Sequence, residues 1–359
     1  MISKPAYFPT VFLAISTLFS ASVLAQSGLK ANCRPSDFPT LVYSDSNVFP
    51  GDRSLHHPED GAALEDGRII VGDEGSGLRI IDKTGKGRPF GRFKEAGWVH
   101  DPPKVVAGPN GIFLESDGRH LLLADVYSGR IYRVNVATEE TRMIYDHPFG
   151  VNSLVRDSKG SIWFTQSAKN TGPDEMWTAV NRPIDSGAVF YLRGSGDEVE
   201  IPAVEAARNI YFANGITFDQ AEEYMYVSET MMDRVLRYKV DLKSGTLTSR
   251  EVYQNVTTPD NLKLDQNGNL WIASPISNQV VAVDKKCRSL HVVFSAPSIG
   301  NSRTQDEWAV RSRVGKPLLE LLGPELSKPL PGVLTGMFWS HDRKSFYITG
   351  LGNAILRLE

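Results

Sequence analysis

The segment Tyr211–Thr230 reads YFANGITFDQAEEYMYVSET. Asn214 and Gly215 both tolerate positive φ, the mark of a turn. Apolar residues then alternate through Ile216 and Phe218, the period of a half-buried strand. A polar turn around Asp219–Glu222 follows, and a second apolar run, YMYV, comes after it. Related openings recur along the chain: PNGIF at Pro109, GVNSL at Gly150 and TPDNL at Thr258. The chain places an amide or carboxylate at the head of one strand after another.

Working outward, the unit of turn, strand, polar link and strand repeats. Its copies are DGRIIVGDEGSGLRIID, DGRHLLLADVYSGRIYRV, KGSIWFTQS with SGAVFYL, AEEYMYVSETMMDRVLRYKV, NGNLWIASPISNQVVAVD and RKSFYITGLGNAILRL, six in all. Antiparallel units of this size, without helices between them, predict an all-β fold, a six-bladed β-propeller. A strand near Leu41–Tyr43 is expected to complete the last blade. Two stretches interrupt the repeat: a polar loop over 170–183 containing Trp177, and a short, partly helical insertion near 297–331. Insertions of this length belong on a propeller's rim, where they act as lids or pack against the body.

Spacing explains the strand-heading amides. Eight residues before the turn residues Gly67, Gly118, Gly160, Glu222 and Gly268 stand Glu59, Asn110, Asn152, Asn214 and Asp260. A propeller carries such equivalent positions to one axis, so five scattered residues become a ring of oxygen donors. Carboxylate and amide oxygens are hard ligands that suit one divalent cation, Ca²⁺ before Mg²⁺ or Mn²⁺. Two carboxylates balance its charge, and the amides add coordination without repulsion. Taken singly, each of these residues also suits an ordinary turn.

The composition is that of an ordinary globular chain: 359 residues, 41% hydrophobic, formal net charge −3. It gives no sign of binding nucleic acid or an anionic membrane. Lys4 and the apolar run TVFLAISTLFSASVLA, ending in VLA before Gln26, read as a secretory signal over 1–25. The mature chain, 26–359, is then one propeller domain, secreted or periplasmic, with no membrane attachment after cleavage. The two cysteines, Cys33 and Cys287, are expected to pair in an oxidising compartment, the alternative being two buried thiols. Without a Cys/His set, zinc is not expected. Asn255 heads an NVT sequon, relevant only in a eukaryote.

Several phrases resemble a known group of proteins. YFANGITFDQAEEYMYVSET and TPDNLKLDQNGNLWIA look like segments of paraoxonases, gluconolactonases and strictosidine-synthase-like proteins. VNSLVRDSKGSIWFTQS and DSGAVFYL are closest to the strictosidine-synthase-like branch, and HPEDGAALEDG resembles the paraoxonase entry to blade one. The resemblance covers nearly the whole mature chain. It implies a six-bladed propeller with a catalytic divalent cation, usually Ca²⁺, at the channel mouth. Carried over, the metal ligands fall on Glu59, Asn152, Asn214 and Asp260, with Asn261 a possible fifth. Asn110 remains, at a position where paraoxonases have a catalytic histidine, and is assigned to substrate binding. Ser153 stands where paraoxonases have an Asp for a second, structural cation, although Asp60 is kept. Neither Glu320 nor Glu325 is fixed by a motif as the late Glu of a strictosidine synthase.

The reaction this implies is hydrolysis of a small lactone or ester, with Asp260 orienting or deprotonating water and Glu59 a pure ligand. His56, His57 and His100 lie nearest to the expected rim loops. Alternatives are a strictosidine-synthase-like or phosphotriesterase-like enzyme on the same scaffold, or a non-catalytic binding propeller. The substrate itself and the oligomeric state are not legible.

Overall fold

The computed structural model describes residues 33–297 and 301–359, so the expected signal segment lies outside the described residues. Six four-stranded antiparallel sheets follow one another along the chain. Blades 1 to 5 span 61–90, 109–146, 154–210, 213–255 and 262–295, and blade 6 spans 332–358. Each blade's first strand is the innermost. First strands of neighbouring blades touch all round the ring, including blade 6 with blade 1.

The turn between first and second strands uses one device in every blade. Its left-handed residue is Gly67 (φ +87°), Gly118 (+64°), Gly160 (+95°), Glu222 (+55°), Gly268 (+82°) or Arg343 (+60°). Blades 3 and 5 add a second device. Asp157 and Asp265 open these turns and accept from the indole N–H of Trp163 and Trp271, six residues on, at 2.9 and 3.1 Å. Trp163 is fully buried with Tyr191 and Phe218 between blades 3 and 4. Truncating it to Ala should cost about 3–5 kcal/mol.

Blade 6 is completed from the other end of the chain, as expected, but by a different strand. Val48 and Phe49 pair with Leu356 and Ile355, whereas Leu41 bridges Phe294 on the outer strand of blade 5. The reason lies upstream. Cys33 and Cys287 form the expected disulfide, with Cα atoms 5.6 Å apart. Phe38 packs on Trp271 and His291. These contacts hold the chain on blade 5 through Leu41, so it crosses to blade 6 only afterwards.

The insertion near 297–331 is helical as expected, although its first residues lie outside the described ones. The stretch 170–183, expected as a polar loop, is also helical: α1 spans Pro173–Asn181. Pro173 opens it, Asp174 and Glu175 occupy its first turn, and Met176, Ala179 and Val180 bury one face. In the later insertion α2 spans Asn301–Val314, a 3₁₀ turn covers Leu319–Leu322, and α3 spans Pro324–Ser327. The Asn181 side chain accepts from the backbone N–H groups of Leu318 and Leu319, at 2.9 and 3.0 Å. The two insertions thus form one cover over the channel. Among the described residues no helix is long and apolar enough to cross a membrane.

Candidate metal centre

Glu59, Asn110, Asn152, Asn214 and Asp260 all line one cavity at the mouth of the central channel. They come from the first strands of blades 1 to 5 or from the residues just before them. Blade 6 supplies the sixth register position. Eight residues before Arg343 stands Thr335, which lines the same cavity. Its turn residue is Arg343 rather than glycine, so glycine spacing alone does not point to it.

Four of the six are distinguished by what they lack. Glu59 Oε2, Asn152 Oδ1, Asn214 Oδ1 and Asp260 Oδ1 are buried and have no hydrogen-bond partner. The residues are only 4–8% exposed. A buried acceptor left unpaired costs about 1–3 kcal/mol, so four beside one cavity demand a ligand. An all-oxygen set with two carboxylates is what a hard divalent cation requires. The residues therefore fit the expected ion. They are also the four carried over from the family resemblance.

The backbone of each of these four residues is pinned. The Glu59 carbonyl accepts from the hydroxyls of Thr335 and Thr349, at 3.1 and 2.7 Å. Thr165 of blade 3 donates to the Asn214 carbonyl at 2.7 Å, and Ser228 of blade 4 to that of Asp260 at 2.6 Å. The Asn152 carbonyl takes the Gly111 N–H and the Asn110 amide, at 2.8 and 3.1 Å. Asn110 thus lines the cavity while its amide braces a neighbouring ligand. Asn261, expected as a possible fifth ligand, donates its amide to Glu59 Oε1 at 2.9 Å and keeps a buried, unpartnered Oδ1. It orients Glu59 and leaves Oε2 free.

Beside these groups the Asp60 carboxylate is fully committed. It accepts from the N–H groups of Gly61 and Ile112 and from the Lys263 ammonium, 3.1 Å away. Ser153, whose N–H donates to Thr165 Oγ1, adds no carboxylate nearby. The Lys263 charge stands where a second cation would need free oxygen.

Burial dominates the electrostatics. It pushes Asp260 from an ordinary 3.8 up to about 8, with the Asp60 charge adding to the rise and the Asn214 amide opposing it. Glu59 is raised well above its usual range by burial, then by the charges of Asp260 and Asp60. Without a cation the pair is therefore harder to ionise than free carboxylates.

Other acidic groups do not compete. The ligand atoms of Glu115, Asp117 and His120 lie within 4.8 Å of one another. However, Glu115 is paired with Arg133 at 2.8 Å, and Asp117 with His120 at 2.7 Å. His56 and His57 are largely exposed and pair with Asp73 and Glu74. His100 accepts from the Ala107 N–H. Glu320 and Glu325 are exposed and paired with Arg311 and Lys328. None of these five lines the cavity.

Above the oxygen ring the cavity, of about 110 Å³, is walled by the cover and the rim. Met176, Trp177 and Val180 come from α1, Trp308 from α2, and Phe212, Met231 and Ile276 from rim loops. Two wall residues are in strained backbone, Phe212 at φ +62° and the β-branched Thr258 at +41°. Asp233 holds the second in place, accepting from the Thr258 N–H at 2.8 Å and from the Trp308 indole at 3.3 Å. Neither insertion could be assigned to the wall from sequence, because their contacts are tertiary.

Comparison with known proteins agrees with the resemblance. Residues 144–299 match the family model SMP-30/Gluconolactonase/LRE-like region. The chain is 28% identical over 222 residues to the adipocyte plasma membrane-associated protein of Gallus gallus, covering 59% of this chain and 49% of that one. It is 26% identical over 198 residues to pentonolactonase XacC of Haloferax volcanii, covering 54% and 61%. The chain thus spans about half to three-fifths of the length of these relatives. Among solved structures, the gluconolactonase XC5397 of Xanthomonas campestris superposes with a TM-score of 0.59 at 16% identity, over 90% of this chain and 96% of that one. That similarity shows the fold.

Proposed function

We propose that this chain, a six-bladed propeller carrying a gluconolactonase-like region, is a divalent-cation-dependent hydrolase of a small lactone or ester. The observation that carries the reading is the set of four buried, unpartnered oxygens on Glu59, Asn152, Asn214 and Asp260. Calcium suits them best, because oxygen donors of mixed charge on separate blades form a cage without the tight octahedron that magnesium demands. A bound cation supplies Lewis-acid polarisation of the substrate carbonyl.

The chain's own residues do the rest. Glu59 is held by Asn261 and serves as a ligand. Asp260 orients the attacking water and takes its proton. The water oxygen bonds to the acyl carbon, the acyl C–O bond breaks, and the proton passes to the departing alkoxide. Asn110 fixes Asn152 and shapes the floor on which the substrate lies. The cover of α1 and α2 limits water around the reacting bond. The signal-like segment and the Cys33–Cys287 bridge support a secreted or periplasmic site of action.

The test combines elemental analysis of the purified protein with a screen of lactones and aryl esters, with and without a chelator. One tightly held divalent ion and chelator-sensitive turnover are expected. An ion-free protein whose turnover ignores the chelator would overturn the reading.

A further inference from the structure

The wall above the oxygen ring decides what kind of molecule fits. Outside the ring, the described residues lining the cavity include no Lys, Arg, His or Gln. Several of the polar groups that are present are already engaged. The Trp308 indole donates to Asp233. The Thr230 hydroxyl donates to the Pro259 carbonyl at 2.7 Å, and Thr258 Oγ1 accepts from the Ile276 N–H at 3.2 Å. Apart from the Tyr127 phenol, the remaining surface is thioether, indole, phenyl and aliphatic carbon.

From this wall we infer that the substrate is an uncharged lactone or ester whose non-reacting part is a short apolar group, and that polyhydroxylated sugar lactones are poor substrates. A sugar lactone would bury several hydroxyls against Met176, Phe212, Met231 and Ile276, where little is free to pair with them. Each hydroxyl left unpaired costs roughly 5- to 150-fold in affinity. A carboxylate or phosphate substituent meets no cationic side chain, and the charges of Glu59 and Asp260 are balanced by the ion. An alkyl or aryl group instead exchanges water for carbon. The cavity volume of about 110 Å³ suits a small substrate with a compact apolar group. The assignment of lactone or ester rests on the hydrolase reading, whereas the apolar character rests on the wall alone.

The experiment separates the two. Turnover of γ-lactones bearing methyl, ethyl and propyl groups is compared with that of D-glucono-1,5-lactone on the calcium-loaded full chain. In parallel, binding of the matching alkyl pyrrolidinones, inert lactams, is followed by indole fluorescence. The expected result is a rise of about fourfold per methylene in both kcat/KM and affinity, with gluconolactone at least 100-fold below the propyl lactone. Met231→Gln should flatten both series without changing metal content. A flat or falling wild-type series, or gluconolactone equal to the alkyl lactones, overturns the inference and leaves the hydrolase reading intact. If the lactams show the slope but no lactone or ester is turned over, the hydrolase reading fails and the apolar assignment stands. Because the wild-type slopes decide the matter, a variant that fails to fold does not obscure it.

Discussion

Replacing Asp260 by Asn should make the cation-free protein more stable, the opposite of what removing a paired carboxylate does. The Asp260 carboxylate is buried with an unpartnered oxygen, and its surroundings raise it from 3.8 to about 8. Ionising such a group at pH 8 costs on the order of 5 kcal/mol relative to the unfolded chain. A neutral amide of the same shape escapes that cost. For a ring of this length, unfolding entropy corresponds to roughly 0.7 kcal/mol per degree, so Asp260→Asn in EDTA at pH 8 should melt about 7 °C higher. Calcium changes the comparison. At 100 times its dissociation constant it adds about 2.7 kcal/mol, or about 4 °C, to the wild type. The variant, left with Glu59 as the sole carboxylate ligand, should gain within about 1 °C. The assay is calorimetry of both proteins in EDTA and in calcium. A variant that melts below wild type in EDTA and shows the same calcium shift would refute the argument, because Asp260 would then be a satisfied structural group.

In the hydrolysis assay Asp260→Asn should lower kcat/KM by about 10²–10⁴-fold, and Asn110→Ala clearly less while retaining the ion. Equal ion loss in Asn110→Ala and Asn214→Ala would mean that the ring shares its ligand duty evenly. The wild type in EDTA should lose stability as pH rises from about 4 to 8. Over that range the folded Asp260 holds a proton that the unfolded chain has released, and the raised Glu59 acts in the same direction, so deprotonation favours unfolding. A melting temperature that climbs through this range would contradict the raised values. Reducing Cys33–Cys287 should cost about 2–5 kcal/mol, lowering the melting temperature by about 3–7 °C, with thiol labelling confirming the opened bridge. Thr335→Val with Thr349→Val strips the hydroxyls from the Glu59 carbonyl. It should weaken calcium binding about tenfold, as read by calcium titration.

The ring was legible because local chemistry repeats wherever the chain makes the same turn. A left-handed residue eight positions after each ligand is a backbone requirement, and in four of the five recognised copies glycine advertises it. Where Arg343 meets the same requirement without glycine, Thr335 went unseen. The closing strand was misplaced because two residues, Val48 and Phe49, carry no periodicity of their own. Their pairing is chosen by Ile355 and Leu356, three hundred positions away. Helix α1 is not legible in the sequence because its buried face is a single turn, Met176 to Val180, within a polar stretch. The apolar wall was invisible for a related reason. Trp177, Phe212 and Trp308 are unremarkable in sequence and meet only when both insertions fold over the axis.

The hydroxyls of Thr335 and Thr349 reach the Glu59 carbonyl across 276 and 290 positions of chain. Glu59 leaves the ribosome well before its clamps. At about 5–20 residues per second the interval is roughly 15–60 s, during which the first ligand exists without the groups that aim it. On the proposed function, a chain still being made therefore has a site whose first residue is not yet aimed, and one stopped short of blade 6 keeps it in that weakened form. Full-strength metal capture would then become a report that blade 6 is in place.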